Sequence, residues 1–240
     1  MNIILTEDVQ RGLLDSSDRR CEHIIKVLKL NQGDTFRLGS IKTGASGTAQ
    51  ITAVDSLGVH YTFTETIPDA RNYRPVTLIV AQVRPICMKR ILREAASAGV
   101  RKIIATGATT AEKSYSQADI WKKGEYREIL LDGTMQGGFT GVPEVICTPD
   151  VRLALKEIPN KNADCVLLDN VSPKGRMSDF IPMYDKAVLA VGPERGWTDY
   201  ERSLFSDAGF STLSLGDHIL RTETACTAGV TLLLARMNLL

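Results

Sequence analysis

Two short strand-loop-helix units near the end of the chain hold the residues whose types and spacing could do chemistry. The first runs Ala187-Val188-Leu189-Ala190-Val191 into Gly192-Pro193-Glu194-Arg195-Gly196-Trp197 and then a helix. The second runs Thr212-Leu213-Ser214-Leu215 into Gly216-Asp217-His218-Ile219-Leu220-Arg221 and then a long apolar helix. In a parallel sheet, ligands bind beyond the carboxyl ends of the strands, where both loops fall. Gly192, Gly196 and Gly216 carry no side chain, so main chain at these points can approach a ligand closely. Its N–H and C=O groups can then read an adenine edge and a ribose without charged side chains. Taken singly, each of these glycines is better explained by a tight turn.

The common alternatives are missing. No G-x-G-x-x-G follows the first strand of an α/β unit, and no G-x-x-x-x-G-K-[ST] is present, which argues against a dinucleotide fold and a P-loop. There is no G-x-S-x-G nucleophile elbow. His23, His60 and His218 are scattered without metal spacing. The five cysteines, Cys21, Cys87, Cys147, Cys165 and Cys226, form no C-x-x-C pair and are odd in number, so reduced thiols are expected and no metal site.

Both units need elements to position them. Thr198 is placed to cap the helix after the first loop, Glu201 completes a capping box, and Gly209 suits the helix end. Thr222 can cap the final helix. Upstream, the pattern is that of an α/β domain with a mostly parallel sheet: Val76–Val80 a strand, Lys89–Ala98 a helix stopping at Gly99, Val100–Ala105 a strand, Trp121–Gln136 a helix, Val142–Ile146 a strand, Val151–Glu157 a helix and Cys165–Leu168 a strand. The first seventy residues differ. Thr35–Leu38, Thr48–Val54 and Val59–Thr64 are short apolar runs punctuated by turn residues, which reads as a small antiparallel barrel or sandwich. One amphipathic segment, Arg20 to Leu30, interrupts it, with Ile24, Ile25, Val27 and Leu28 on one face. A polar stretch with two prolines, from Ile67 to Pro75, reads as a linker, giving domains over 1–70 and 74–240.

Composition is that of an ordinary globular protein, 43% apolar and 24% charged. A net charge of +1 rules out an obvious polybasic binder but leaves room for a basic face. The N-terminus carries acidic residues and no long apolar run, and no stretch of about 18 apolar residues exists, so neither a signal peptide nor a membrane span is expected and a cytoplasmic enzyme is.

Val191-Gly192-Pro193-Glu194 and Leu215-Gly216-x-x-Ile219-Leu220-Arg221-Thr222-Glu223-Thr224-Ala225 together resemble the signature of the RsmE-type 16S rRNA uridine N3-methyltransferases of the SPOUT superfamily. Weaker echoes lie at His23-x-x-x-Val27-Leu28 with Gly33-Asp34, at Glu112-Lys113-Ser114, and at Gln136 with Pro143-Glu144-Val145. The resemblance implies an N-terminal PUA-like RNA-binding β-barrel, a C-terminal trefoil-knot methyltransferase domain, and a homodimer. It implies S-adenosyl-L-methionine held by Leu168, by Val191, Gly192, Pro193 and Gly196, and by Leu215, Gly216, Ile219 and Leu220. The implied partner is rRNA of the small ribosomal subunit or its assembly intermediate, with no membrane and no metal.

The sulfonium is already a strong methyl donor, so such an enzyme mainly positions its substrates. A cation near the uridine O2 or O4 would stabilise the charge that develops as N3 loses its proton. Arg221 is the candidate, with an alternative role anchoring its loop to Glu223 or Glu194. Glu194 could remove the proton, orient Arg221, or act as a plain structural acceptor. His23, Lys29, Arg84, Lys89, Arg90 and Arg195 are the candidate RNA contacts. Arg84, Lys89, Arg90, Arg93, Arg101 and Lys102 read equally well as a solvated helix face. Trp197 is expected in the core rather than against a base.

The match has departures. Arg195 stands where the family has glycine, Glu94 where it has lysine, and Phe139 where it has arginine, and the arginine near the family's N-terminus is absent. Arg195 could turn outward onto a phosphate. These changes leave two alternatives: the same fold acting on another RNA, or a non-catalytic RNA-binding or ribosome-assembly protein.

Overall fold

The computed structural model describes residues 2–158 and 162–240. The chain divides into two compact units, Met1–Asn72 with Thr134–Val142, and Tyr73–Gly133 with Pro143–Leu240.

The smaller unit contains β1 (Ile4–Thr6), β2 (Leu13–Asp15), α1 (Arg19–Glu22), β3 (Thr35–Ser40), β4 (Ser46–Asp55) and β5 (Gly58–Ile67). They form one sheet in the order β1-β3-β4-β5-β2. β1 runs parallel to β3 and the other pairings are antiparallel. Irregularities in the β4–β5 register, between Ser46 and Gly47 and between Ile51 and Ala53, bend the long hairpin. The sheet is a curled half-barrel in which β1 and β2 are the edges. Its concave core holds Leu14, Ile24, Phe36, Leu38, Ile51, Val59 and Tyr61, with Phe36 edge-on to Tyr61 at 6.0 Å.

The three anticipated strands of this unit are present and longer than expected. The three-residue strands β1 and β2 were not anticipated, being too short for a period to register. The expected amphipathic helix over Arg20–Leu30 is not continuous. α1 is one turn long and passes into a π-helical turn over His23–Val27, closed by Leu28 N–H donating to His23 O at 2.9 Å. Ile24 is buried, whereas Val27 is 63% exposed and Ile25 and Leu28 also face solvent. Neighbouring residues on a helix point about 100° apart, so these four cannot share one narrow stripe.

The larger unit contains β6 (Arg74–Ala81), α2 (Pro85–Ser97), β7 (Val100–Thr106), α3 (Asp119–Lys122), α4 (Glu125–Gly137), β8 (Glu144–Thr148), α5 (Val151–Ala154), β9 (Asp164–Leu168), β10 (Gly175–Arg176), β11 (Ala187–Val191), α6 (Asp199–Asp207), β12 (Ser211–Ser214) and α7 (Thr222–Arg236). The last turn of α4 groups with the smaller unit. The seven strands make a wholly parallel sheet in the order β10-β12-β9-β11-β6-β7-β8. A parallel sheet is covered on both faces, so its central strands read as unbroken apolar runs, and every residue of β11 is buried. On one face Ile79, Ala81, Ile104, Leu167, Val188 and Ala190 pack against Val151, Ala154, Trp197, Phe205 and Phe210. On the other lie α2 and α7. α2 starts with Pro85 at its first turn and buries Met88, Ile91, Leu92, Ala95 and Ala96 at helical spacing. α7 buries Cys226, Gly229, Val230, Leu233 and Leu234 at the same spacing.

The helix expected over Trp121–Gln136 is split. Gly124, at φ +71°, stops the single turn of α3 before α4 begins. The helix expected over Val151–Glu157 ends at Ala154. The strand expected over Val142–Ile146 begins at Glu144.

Candidate functional site

β9, β11 and β12 end level with one another. Val191 of β11 lies opposite Leu168 of β9, and Leu213 of β12 lies opposite Leu168 on its other side. The three loops that follow therefore leave the sheet side by side, at its carboxyl edge. Two contacts tie them together: Asp169 N–H donates to Leu213 O at 3.0 Å, and the buried Thr222 hydroxyl donates to Gly192 O at 3.3 Å. The second differs from expectation. Thr222 is the first residue of α7, Arg221 occupies the cap position without a side-chain capping bond, and the Thr222 hydroxyl serves the neighbouring loop instead.

The loop residues expected to hold a ligand divide into floor and lip. Leu168, Val191 and Pro193 are buried, and Leu215 is half-buried. Ile219 is 83% exposed and Leu220 39% exposed, an unusual position for two aliphatic side chains beside open main chain. Gly216 has φ +135°, a region that L side chains avoid, and a Cβ built there meets nothing within 4 Å. At Gly192 the main chain lies directly on Trp197, whose Nε1 would be 3.1 Å from an added Cβ. Trp197 is in the core, edge-on to Phe205 at 5.0 Å, and forms the floor under this loop. Loops that offer apolar side chains and open main chain, without a glycine-rich phosphate loop, fit a flat heterocycle and a thioether better than a nucleotide phosphate. Gly216→Val is expected to raise the dissociation constant for such a ligand at least about tenfold, since the φ cost falls on the lining of the site. Calorimetric titration checks this, and equal affinity would remove the loop from the site.

Supports that the sequence did not disclose hold these loops. Asp169 has its side chain almost wholly buried, accepts from Val171 N at 2.8 Å and pairs with Arg202 of α6, an ion pair that strengthens the guanidinium charge. Gly229 lets α7 close on β9 and β11, for a Cβ there would stand 2.6 Å from Leu168 Cδ1 and 3.0 Å from Leu189 Cδ2. A glycine inside an apolar helical run is the sequence signal for such an approach. The Asp169–Arg202 pair, separated by 33 residues, carries no local signal.

Charge at the mouth is arranged differently from expectation. Arg221 and Arg195 are exposed, with no ion pair among the described residues. Glu194 is also exposed. Arg84 precedes α2, and its pKa is raised by the neighbouring Tyr115 side chain first and then by the Glu194 and Glu112 carboxylates. Glu223 approaches Arg90 at 3.9 Å and the Cys87 thiol, so it does not anchor Arg221. Lys89 pairs with Glu125 at 2.8 Å, Lys102 with Glu157 at 3.6 Å, and Arg101 lies over the Tyr73 ring. Much of the cationic crowd on and beside α2 is thus engaged within the larger unit. In the smaller unit Lys29 is exposed at φ +56°. His23 is half-buried, its Nε2 has no partner among the described residues, and burial lowers its pKa, so it is neutral at pH 7. Among the described residues no group of three His, Cys, Asp or Glu could hold a metal, and no helix is long and apolar enough to cross a membrane.

A parallel α/β sheet with three loops gathered at its carboxyl edge defines a class, and the similarity to known proteins agrees with it. Residues 70–234 match the model of the RNA methyltransferase domain. The chain is 31% identical over 230 residues to ribosomal RNA small subunit methyltransferase E 1 of Borreliella burgdorferi, covering 95% of each chain. It is 32% identical over 246 residues to ribosomal RNA small subunit methyltransferase E of Treponema pallidum, covering 99% of this chain and 92% of that one. The chain belongs to the ribosomal RNA small subunit methyltransferase E family. Its fold is shared with the crystal structure of such an enzyme from Neisseria gonorrhoeae bound to S-adenosyl methionine, at TM-score 0.79 and 23% identity over 98% of this chain and 97% of that one. A methyltransferase from Legionella pneumophila in complex with the same cofactor superposes at TM-score 0.78 and 25% identity, covering 98% of this chain and 97% of that one.

Proposed function

We propose that this protein transfers a methyl group from S-adenosylmethionine to N3 of a uridine in 16S rRNA. The observation that carries the reading is the convergence of three loops, after Leu168, Val191 and Ser214, on one edge of the sheet, with Ile219, Leu220 and the open face of Gly216 exposed beside them. When bound there, the cofactor supplies an electrophilic methyl group. Leu168, Val191, Gly192, Pro193, Gly196, Leu215, Gly216, Ile219 and Leu220 would hold it.

The chain's own groups then position the acceptor and manage its proton. Arg221, exposed at the start of α7 and without an ion pair among the described residues, stabilises the negative charge that spreads to O2 and O4 as N3 is deprotonated. Glu194 accepts that proton. Arg195, in the lip of the cofactor loop, takes an RNA phosphate. Lys29 of the smaller unit adds a phosphate contact, His23 of the same unit adds an uncharged one, and Lys89 and Arg90 make weaker contacts because each already has an acidic partner. The family relationship supports the further reading of a PUA-like smaller unit, a trefoil knot in the larger one, and a cytoplasmic homodimer.

Equilibrium binding of S-adenosylmethionine to the purified protein tests the first half. Saturable binding of about one cofactor per chain, in the micromolar range typical of enzyme ligands, is expected. No binding at millimolar cofactor would overturn the reading.

A further inference from the structure

We infer that Glu201 is a positioning residue that locks the loop after β7 onto the cofactor loop; the inference rests on the function proposed above. Glu201 is the third residue of α6 and is 4% exposed. Its Oε2 accepts from Thr198 N at 2.8 Å and from the Thr198 hydroxyl at 2.8 Å, the expected capping box. Its Oε1 turns the other way and accepts from Thr109 N at 2.8 Å and the Thr109 hydroxyl at 3.2 Å, 92 residues away in sequence. A cap needs only the first pair. The second commits a buried carboxylate to a loop that α6 does not otherwise require.

That loop follows β7 and leads to Glu112 and Tyr115. Next to Thr109, the Thr110 hydroxyl donates to Gly196 O at 2.8 Å, so two adjacent residues of one loop grip both ends of the segment Gly196–Thr198. Further along the same loop stand Glu112 and Tyr115, which with Glu194 of the cofactor loop raise the pKa of Arg84. Glu201 and Thr110 fasten the two loops together at a buried base. A buried carboxylate satisfied on both oxygens holds that junction in one geometry. Loss of the junction would let the cofactor loop, and Glu194 with it, shift and misplace the group that receives the proton.

Glu201→Gln separates the two roles. Glutamine has one acceptor oxygen where Glu201 has two, so it completes the capping box with Thr198 only by turning its amide nitrogen against the Thr109 N–H. With the purified variant, small-subunit particles and labelled S-adenosylmethionine, kcat is expected to fall about 30-fold, within the loss that misplacing reacting groups by about 1 Å produces. The cofactor dissociation constant should stay within about threefold, and amide hydrogen exchange at Thr109 should accelerate while that of α6 does not, as expected for loss of a local contact with the helix intact. Thr109→Val, which replaces the hydroxyl with a methyl group, should lower kcat by a smaller factor in the same direction. Wild-type kcat in Glu201→Gln, or unchanged exchange at Thr109, would overturn the inference and leave Glu201 a helix cap. A wild-type protein that transfers no methyl group overturns the function itself, whereas the exchange result still reports whether the bridge exists.

Discussion

Arg221→Ala is expected to lower methyl transfer at least about 100-fold, the loss typical of removing one group that stabilises charge in the transition state. Cofactor affinity and thermal midpoint should change little. The physical basis is its setting: the side chain is exposed, makes no ion pair among the described residues, and makes no capping bond to α7. Its main chain is nevertheless fixed, because Ala225 N donates to Arg221 O at 2.8 Å and the adjacent Thr222 is bonded to Gly192. An unpaired cation on a fixed backbone is ready to receive a developing anion without first breaking another contact. Arg221→Lys keeps the charge and loses the planar fork, so partial activity separates electrostatic from bidentate action. Single-turnover transfer rates check both variants, and a wild-type rate in Arg221→Ala would remove Arg221 from the chemistry.

Asp169→Ala is expected to carry the largest stability cost at the site. The carboxylate is 3% exposed, holds Arg202, and caps the turn at Val171. Truncating one partner of a buried pair typically costs about 3–5 kcal/mol. Arg202 is 19% exposed and keeps Asp199 at 2.9 Å, so we place this one at about 2–3 kcal/mol. For a chain of this size the melting midpoint should fall by about 5–10 °C. The loop after Leu168 loses its hold on α6 at the same time, so cofactor affinity should fall with stability. Calorimetry with and without cofactor measures both, and a midpoint within about 1 °C of wild type would show that the pair contributes no more than an ordinary surface pair.

The parts of this molecule written in local pattern were legible before the structure. Unbroken apolar runs gave the buried parallel strands, because both faces of that sheet are covered. The α6 cap, from Thr198 through Glu201, and the end at Gly209 follow from spacing alone, and Trp197 packs in the core as expected. What failed was either too short or too distant. β1 and β2 have three residues each, below what a period of two can mark. The four aliphatics between Ile24 and Leu28 suggested one helical face, yet a π-helical turn leaves three of them in water. Gly124 divided a helix that periodicity had joined. Asp169 with Arg202 and Glu201 with Thr109 are tertiary meetings, and no rule of adjacent residues reports them. The family signature located the loops, but not the buried contacts from Glu201 and Thr110 that hold them.

The most direct test of the central claim is transfer itself. Small ribosomal subunits from a strain lacking this gene would be incubated with the purified protein and S-adenosylmethionine labelled on its methyl group, and the 16S rRNA then digested and mapped by mass spectrometry. The account predicts one added methyl group on a single uridine, at N3, with the label absent when Arg221→Ala is used. Label on another base, or no label in rRNA despite bound cofactor, would contradict it.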